Sequence, residues 1–275
     1  MIEGQDELRD LLPDAFSKQL LDGGLDVLGT ANPIRAHLFA AAMREVITYL
    51  LHTMAPDDDV QAASWFKAEA DKPTRRQRST FAVQGGLSDS LVTKLGIDAS
   101  EMHRQMAAEM AELNKRTHVK PGTLLSEANE IEEFATDVVA AVAEFLQAVA
   151  DMRDAVADAV IHGASEQVFE SFLQESNDMI DLLSTHSFVE QVDVLELRVV
   201  KIGAHEITYE AEGTVYVELN YGSGSDRAAG DGATMNDDYP FKCRLTGGVE
   251  KLVELHDVFD MEVDTSSFYE DGEEE

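Results

Sequence analysis

The chain has 275 residues, and its 21 lysines and arginines against 54 aspartates and glutamates give a formal charge of −33, which excludes a protein whose whole surface binds a phosphate backbone. Hydrophobic residues make up 44% of the chain, enough to bury a core, so a wholly disordered protein is also excluded. The single cysteine, Cys243, excludes an intrachain disulfide bond and a cysteine-only zinc site.

The first 186 residues are predicted to be helical. A weakly amphipathic segment covers residues 5–22. Asn32 and Pro33 are a typical N-cap and first helical position, and they predict a largely apolar helix that runs to Met54. Because most of its side chains are apolar, we expect this helix to be central and mostly buried.

Three shorter helices are predicted next. The first begins near Thr74 and ends at Gly85, and the second follows Ser88. The third opens with a capping box and covers about residues 98–119. Together with the preceding helices, they form a predicted helical domain over residues 1–125.

Residues 127–162 carry the strongest periodic signal in the chain, with apolar residues spaced by three and four. This pattern predicts one long helix that ends at Gly163 and a second helix, over residues 165–184, that returns antiparallel to it. We therefore expect a long helical hairpin over residues 126–186. Its apolar stripe packs within the chain in our preferred interpretation, and forms a homodimer through residues 127–184 in the alternative.

From about residue 192 the period of the apolar residues changes from 3.6 to 2, which is typical of strands. The pattern predicts an antiparallel meander of about five strands over residues 187–268, with Gly213 separating the second strand from the third. A loop over residues 222–238 is predicted between the third and fourth strands, and an acidic tail follows at residues 269–275. The fold class is therefore predicted as α+β, with the helices first and the sheet second.

Five of the 21 cations fall within twelve residues, and we name this segment the basic island. Arginine offers a planar fork that fits phosphate, and the predicted helix start adds free N–H groups, so the island is a candidate nucleic-acid-binding site. The alternative is that these cations pair with the many neighbouring acids. The island consists of Lys67, Lys72, Arg75, Arg76 and Arg78, and Trp65 and Phe66 lie just upstream.

A second candidate site lies near the end of the third short helix. Asn114 and His118 are four residues apart and therefore share one helix face. Histidine transfers protons near neutral pH, which suits a general acid or base, whereas a cap at the helix end is the alternative role. The candidate catalytic residues are His118, Asn114, Arg116 and Arg44, and Lys115 and Lys120 are further candidates for phosphate contact.

Metal ligands are not assigned from the sequence. Carboxylates near the predicted strands offer oxygen ligands for Mg²⁺, but paired carboxylates arise by chance in so acidic a chain. The histidines show no ligand spacing. The cofactor therefore stays open, with Mg²⁺ as a candidate. The carboxylates concerned are Glu210, Glu218, Asp226, Asp257, Asp260, Glu262 and Asp264.

Four segments of the helical half carry a resemblance to a known family. They lie within residues 30–125 and read NPIRAHLFAAAMREVITYLLHTMAP, SWFK, PTRRQRSTFAVQGGLSD and LNKRTHVKPGT. In these segments the chain resembles the predicted pPIWI-associating nucleases of prokaryotic defence neighbourhoods. The resemblance implies a nuclease that acts on nucleic acid and has a PIWI-like or other defence protein as its partner.

The helical half is also similar to HEPN ribonucleases, whose motif places an arginine, a polar residue and then a histidine on one helix. Leu113 stands before Asn114, where that motif has its arginine. If the resemblance extends to activity, Arg116 or Arg44 has to take the place of this arginine in space.

These observations lead to three hypotheses. The first is a defence-associated nucleic-acid-processing protein that acts as a nuclease. In this hypothesis the basic island binds phosphate, and His118 and its neighbours lie near the scissile bond. The second is a non-catalytic adaptor that binds other defence proteins. The third is an acidic mimic that competes with DNA for a basic protein.

The chain shows no run of 18 apolar residues and no N-terminal secretion signal, so we expect a cytoplasmic protein that does not enter a membrane. Its acidic residues are spread along the whole sequence, which resembles the cytosolic proteins of extreme halophiles. Molar salt screens charge beyond roughly 3 Å and would relieve their repulsion. We therefore expect an acidic, halophilic protein.

Overall fold

The computed structural model describes residues 2–97, 104, 107–108, 111, 113–115, 120, 122, 124–174, 178–222 and 232–270. The chain forms two compact units, residues 1–152 and 153–275. The first unit is helical and the second contains an antiparallel sheet, so the predicted α+β class is confirmed. The predicted domain limits stay a prediction. Among the described residues, no helix is both long enough and apolar enough to cross a membrane.

Within residues 2–97 there are six helices, namely α1 (Gln5–Leu11), α2 (Ala15–Leu28), α3 (Arg35–Met54), α4 (Asp57–Ala62), α5 (Arg75–Gln84) and α6 (Asp89–Lys94). The apolar helix α3 is mostly buried, as its sequence predicts. Phe39, Met43 and Val46 have no exposed surface. α2 and α5 both pack against α3, so α3 positions the three arginines of the basic island that lie on α5.

Both ends of α5 lie where the sequence predicts them. The side chain of Thr74 accepts a hydrogen bond from the backbone N–H of Gln77, and the side chain of Gln77 accepts one from the backbone N–H of Thr74. This capping box satisfies donors that the first turn of a helix otherwise leaves free. At the other end Gly85 has a φ of 55°, which glycine adopts easily and which stops the helix.

The predicted helical hairpin is wrong, because α7 (Ala128–Gln174) continues through Gly163 as one helix. A glycine inside a helix costs only about 1 kcal/mol relative to alanine. Burial of Val160, Ala164 and Val168 on either side of the glycine offsets this cost. Residues 165–174 of the predicted second helix belong to α7, and α8 (Asp178–Asp181) is a separate single turn.

The sheet of the second unit consists of β1 (His186–Ile202), β2 (Glu206–Tyr221), β3 (Ala233–Gly248) and β4 (Leu255–Val263), paired in that order, and α9 (Ser267–Glu270) follows. The prediction of about five strands is therefore corrected to four in the described part of the chain. Gly213 does not separate two strands, because it lies inside β2 opposite Val194 and Phe241. The predicted loop at residues 222–238 is also too long, because β3 begins at Ala233.

The core of the second unit lies on one face of this sheet. Tyr209, Val215 and Val217 alternate along β2 and are fully buried on that face. Phe241 of β3 meets Phe172 of α7 edge to face, with the ring centroids 6.0 Å apart. The last turns of α7 therefore help to cover the apolar face of the sheet.

Candidate functional site

A cavity of about 700 Å³ lies beside α5 in the first unit. Among the residues that the structure describes, three cations and two carboxylates line it, and their formal charges sum to 3 − 2 = +1 in a chain whose total is −33. A cavity of net positive charge in so acidic a chain favours an anionic ligand. The charged residues are Lys67, Arg76, Arg104, Glu69 and Asp89, and Trp65 lines the same cavity.

Arg76 is the arginine of the basic island that reaches this cavity. Its side chain is 72% exposed, and its guanidinium lies 3.2 Å from the carboxylate of Glu69. An ion pair that is open to solvent contributes little to stability, because water screens both charges. A phosphate group can therefore replace Glu69 as the partner of Arg76, and it offers the guanidinium two oxygens at once.

Lys67 lines the cavity, and its backbone is anchored to α5. Its carbonyl accepts a hydrogen bond from the side-chain amide of Gln77 at 2.6 Å, which ties the segment before α5 to the first turn of the helix. The ammonium group is exposed and forms no ion pair with any residue that the structure describes. Lys72 and Arg75 are also exposed, but they do not line the cavity.

Arg78 points away from the cavity, because residues two apart on a helix differ in direction by about 200°. Its side chain is buried, donates a hydrogen bond to the carbonyl of Ala55 at 2.5 Å and pairs with Asp57. The hydrogen bond from Arg78 lowers the pKa of the Asp57 carboxyl, while partial burial of the carboxyl acts in the opposite direction. The buried position takes Arg78 out of the candidate phosphate-contacting surface.

The structure describes only some of the predicted catalytic residues. Arg116 and His118 lie outside the described residues, so their position relative to the cavity stays a prediction. Arg44 is 31% exposed, lies 3.1 Å from the carboxylate of Glu45 and does not line the cavity. The exposed members of the second candidate site are Asn114, Lys115 and Lys120.

Several residues of the cavity are not among those that the sequence patterns predict. Glu69 gives no signal in a chain with so many acids, and no pattern connects Arg104 with α5. Thr80 and Gln84 were detectable, because they follow Arg76 at intervals of four residues and therefore share its helix face. This spacing indicates a polar stripe along the side of α5 that faces the cavity.

The candidate Mg²⁺ carboxylates of the second unit include two that are paired with arginines. The guanidinium of Arg198 lies 3.0 Å from the carboxylate of Glu210, and that of Arg244 lies 3.3 Å from Asp260. Asp226 lies outside the described residues. In the part of the chain that the structure covers, no group of three or more histidine, cysteine or carboxylate side chains converges to hold a metal ion.

Two family models match the chain, over residues 8–142 and 149–269, and both carry the description predicted pPIWI-associating nuclease. The chain belongs to this family. The resemblance predicted for residues 30–125 is therefore confirmed, and it extends through the sheet of the second unit. Neither the curated proteins nor the solved structures give a match. In this member of the predicted pPIWI-associating nucleases, every described residue of the cavity wall falls within the first matched segment.

Proposed function

We propose that this predicted pPIWI-associating nuclease is a cytoplasmic, defence-associated enzyme that acts on phosphodiester bonds, and that the cavity beside α5 holds the nucleic-acid backbone. The positive cavity in a chain of charge −33 is the observation that supports this proposal. Lys67 and Arg76 contact phosphate oxygens, and the fork of Arg76 orients one phosphate through two hydrogen bonds.

The proposed chemistry rests on the second candidate site. His118 accepts a proton from the attacking hydroxyl or water and returns one to the leaving oxygen. Asn114, one helical turn earlier, orients the imidazole or the phosphate, and Arg116 stabilises the negative charge that develops on the phosphate. The proposal assigns no metal-binding residue, and Mg²⁺ stays a candidate cofactor.

Reversing two charges in the cavity should weaken binding of nucleic acid. In the double variant Lys67→Glu/Arg76→Glu we expect the affinity for a labelled oligonucleotide at low salt to fall by at least about tenfold, because two phosphate contacts become repulsive. The slope of log Kd against log salt concentration should also decrease by about one to two. Fluorescence anisotropy measures both quantities.

The matched control for this variant is Lys201→Glu/Lys251→Glu, which makes the same change in net charge on exposed residues of the second unit. It should change the affinity much less, because the altered charges are not in the cavity. Equal losses in the two double variants would show that only the total charge matters, and would contradict the proposed site.

Replacing His118 by alanine should abolish cleavage while it largely spares binding. A general acid or base contributes about a hundredfold to ten-thousandfold to a reaction rate. Cleavage of a labelled oligonucleotide on a gel measures the rate, and anisotropy on the same samples measures the affinity. Cleavage that persists in His118→Ala would remove this residue from the mechanism.

A non-catalytic adaptor is the second candidate function, and the exposed edge strand β1 favours it. Phe188, Leu195 and Val200 of β1 are 57%, 71% and 46% exposed, and exposed apolar side chains on an edge strand are typical of protein contact sites. An adaptor for a PIWI-like or other defence protein leaves nucleic acid intact with every divalent metal. Homodimerisation through residues 127–184 stays a prediction.

We also propose that the protein is adapted to concentrated salt. Its temperature of unfolding should rise as KCl increases from about 0.1 M to 1 M, because the Debye length falls from about 10 Å to 3 Å and the repulsion among the carboxylates weakens. Circular dichroism at a series of KCl concentrations measures this. An unfolding temperature that does not change or that falls with KCl would contradict the adaptation.

A further inference from the structure

Trp65 is the single tryptophan of the chain, and it lies in the wall of the cavity that holds Lys67 and Arg76. The side chain is half-buried, so part of the indole stays accessible. The basic groups suit the phosphate of the proposed ligand, but they do not account for an aromatic ring at the same place. The ring therefore indicates that the ligand carries a second chemical group besides phosphate.

The indole of Trp65 is held in one orientation by its neighbours. Its N–H donates a hydrogen bond to the carbonyl of Gly85 at 2.8 Å. The ring of Phe81 packs at a tilt of 47°, with the centroids 6.4 Å apart. Because the N–H is already satisfied, the accessible part of the indole offers a ligand aromatic carbon atoms and no hydrogen-bond donor. A ring that is fixed before binding loses little entropy when a ligand stacks on it.

A flat, uncharged π surface beside cations matches a nucleotide, in which an aromatic base is joined to a phosphate. Bases of every sequence stack on tryptophan, so such a contact tolerates sequence variation. The volume of about 700 Å³ lies in the range of sites that enclose molecules of nucleotide size. In a duplex each base is stacked on both faces, and a base must leave the stack before it reaches a protein ring, which costs a few kcal/mol.

We propose that the cavity binds an unpaired nucleotide of a single strand, with the base stacked on Trp65 and the adjoining phosphates on Lys67 and Arg76. This inference rests on the proposed function, because it names the substrate class of the same cavity. It assigns to Trp65 a role in substrate selection: a single strand reaches the ring directly, whereas a duplex has to open first.

The single tryptophan makes the test direct. Its fluorescence is recorded while the full-length protein is titrated with a single-stranded oligonucleotide, a duplex of the same sequence or a mononucleotide, and anisotropy of a labelled strand is measured in parallel. We expect the single strand to quench the fluorescence and to bind at least about tenfold more tightly than the duplex.

Two variants separate stacking from folding. Trp65→Leu should weaken binding of the single strand by about tenfold and bring its affinity close to that of the duplex. Phe66→Leu changes the adjacent aromatic residue, which does not line the cavity, and should leave the affinity unchanged. The quenching is measured on the unaltered protein, so it gives an answer even if Trp65→Leu does not fold.

Three results would overturn the inference. If single strand and duplex bind equally without quenching, the stacking role is wrong and the proposed phosphate site stands. If a mononucleotide quenches but no strand binds, the cavity is a site for free nucleotides. If no nucleic acid binds in either measurement at the lowest salt concentration at which circular dichroism shows the protein folded, the proposed function itself fails.

Discussion

The variant Gly213→Ala is expected to destabilise the second unit by at least about 3 kcal/mol, a large part of the 5–15 kcal/mol that typically holds a domain together. A methyl group at this position would lie 2.0 Å from the carbonyl oxygen of Asp193 and 2.9 Å from Cε1 of Phe241. The first of these atoms belongs to the backbone of β1, which cannot move aside without breaking its pairing with β2. The close approach lies next to a register shift between Val194 and Glu196.

The measurement is urea unfolding with a separate signal for each unit. Trp65 lies in the first unit and reports on it by fluorescence, whereas five of the six tyrosines lie in the second unit and dominate its near-ultraviolet circular dichroism. We expect Gly213→Ala to shift the tyrosine transition to much lower urea. A tyrosine transition at the urea concentration of the parent protein would contradict the packing described for β2.

Gly163→Ala is the matched control, because it makes the same chemical change in the same unit. Gly163 is exposed within the last third of α7, and a methyl group there would meet no atom within 4 Å. Alanine should therefore stabilise the helix by about 0.5–1 kcal/mol. The two substitutions are expected to act in opposite directions.

These two glycines also show why the sequence predicts some boundaries and not others. Thr74 and Gly85 end α5 correctly because capping is local, and the groups that satisfy the helix ends are within a few residues. A glycine without such partners is ambiguous. Gly163 is tolerated inside a helix, and Gly213 is required inside a strand by a residue twenty positions away. Glycine is needed at position 213 because of a tertiary contact, and a local sequence pattern carries no information about such a contact.

The candidate site also combines features that the sequence predicts with features that depend on tertiary structure. The clustering of cations before and within α5 predicts an anion site, and Lys67 and Arg76 do line the cavity. The helical period places Arg76 and Arg78 on different faces of α5, but which face turns inwards depends on tertiary neighbours, here on Asp57, which is 21 residues before Arg78. The role of His118 stays a prediction.

Replacing the buried Arg78 by alanine should destabilise the first unit by about 3 kcal/mol. Arg78 is 4% exposed and connects three helices, because it belongs to α5 and binds both the carbonyl of Ala55 after α3 and the side chain of Asp57 in α4. Without the guanidinium, the carbonyl of Ala55, itself fully buried, loses its side-chain donor. Urea unfolding followed by the fluorescence of Trp65 measures the loss.

Arg75→Ala, on the same helix, is the control. Arg75 is exposed and forms no ion pair with any described residue, so its removal should change stability by no more than about 0.5 kcal/mol. Equal effects of the two substitutions would contradict a structural role for Arg78. The loss in Arg78→Ala combines the ion pair with packing of the side chain, and pH separates these two contributions.

The pKa of Asp57 is held below its ordinary value of 3.8, mainly by the hydrogen bond from Arg78. A carboxyl group whose pKa is lower in the folded chain than in the unfolded chain stabilises the fold above the unfolded value, and this contribution is lost as the pH falls through the folded value. Arg78→Ala lacks the part of this contribution that comes from Arg78 at every pH, and keeps the smaller effects of Lys72 and His52. The difference in stability between parent and variant should therefore shrink as the pH is lowered from about 6 to below 3.8. A difference that stays constant over this range would assign the whole effect to packing and to the hydrogen bond with Ala55.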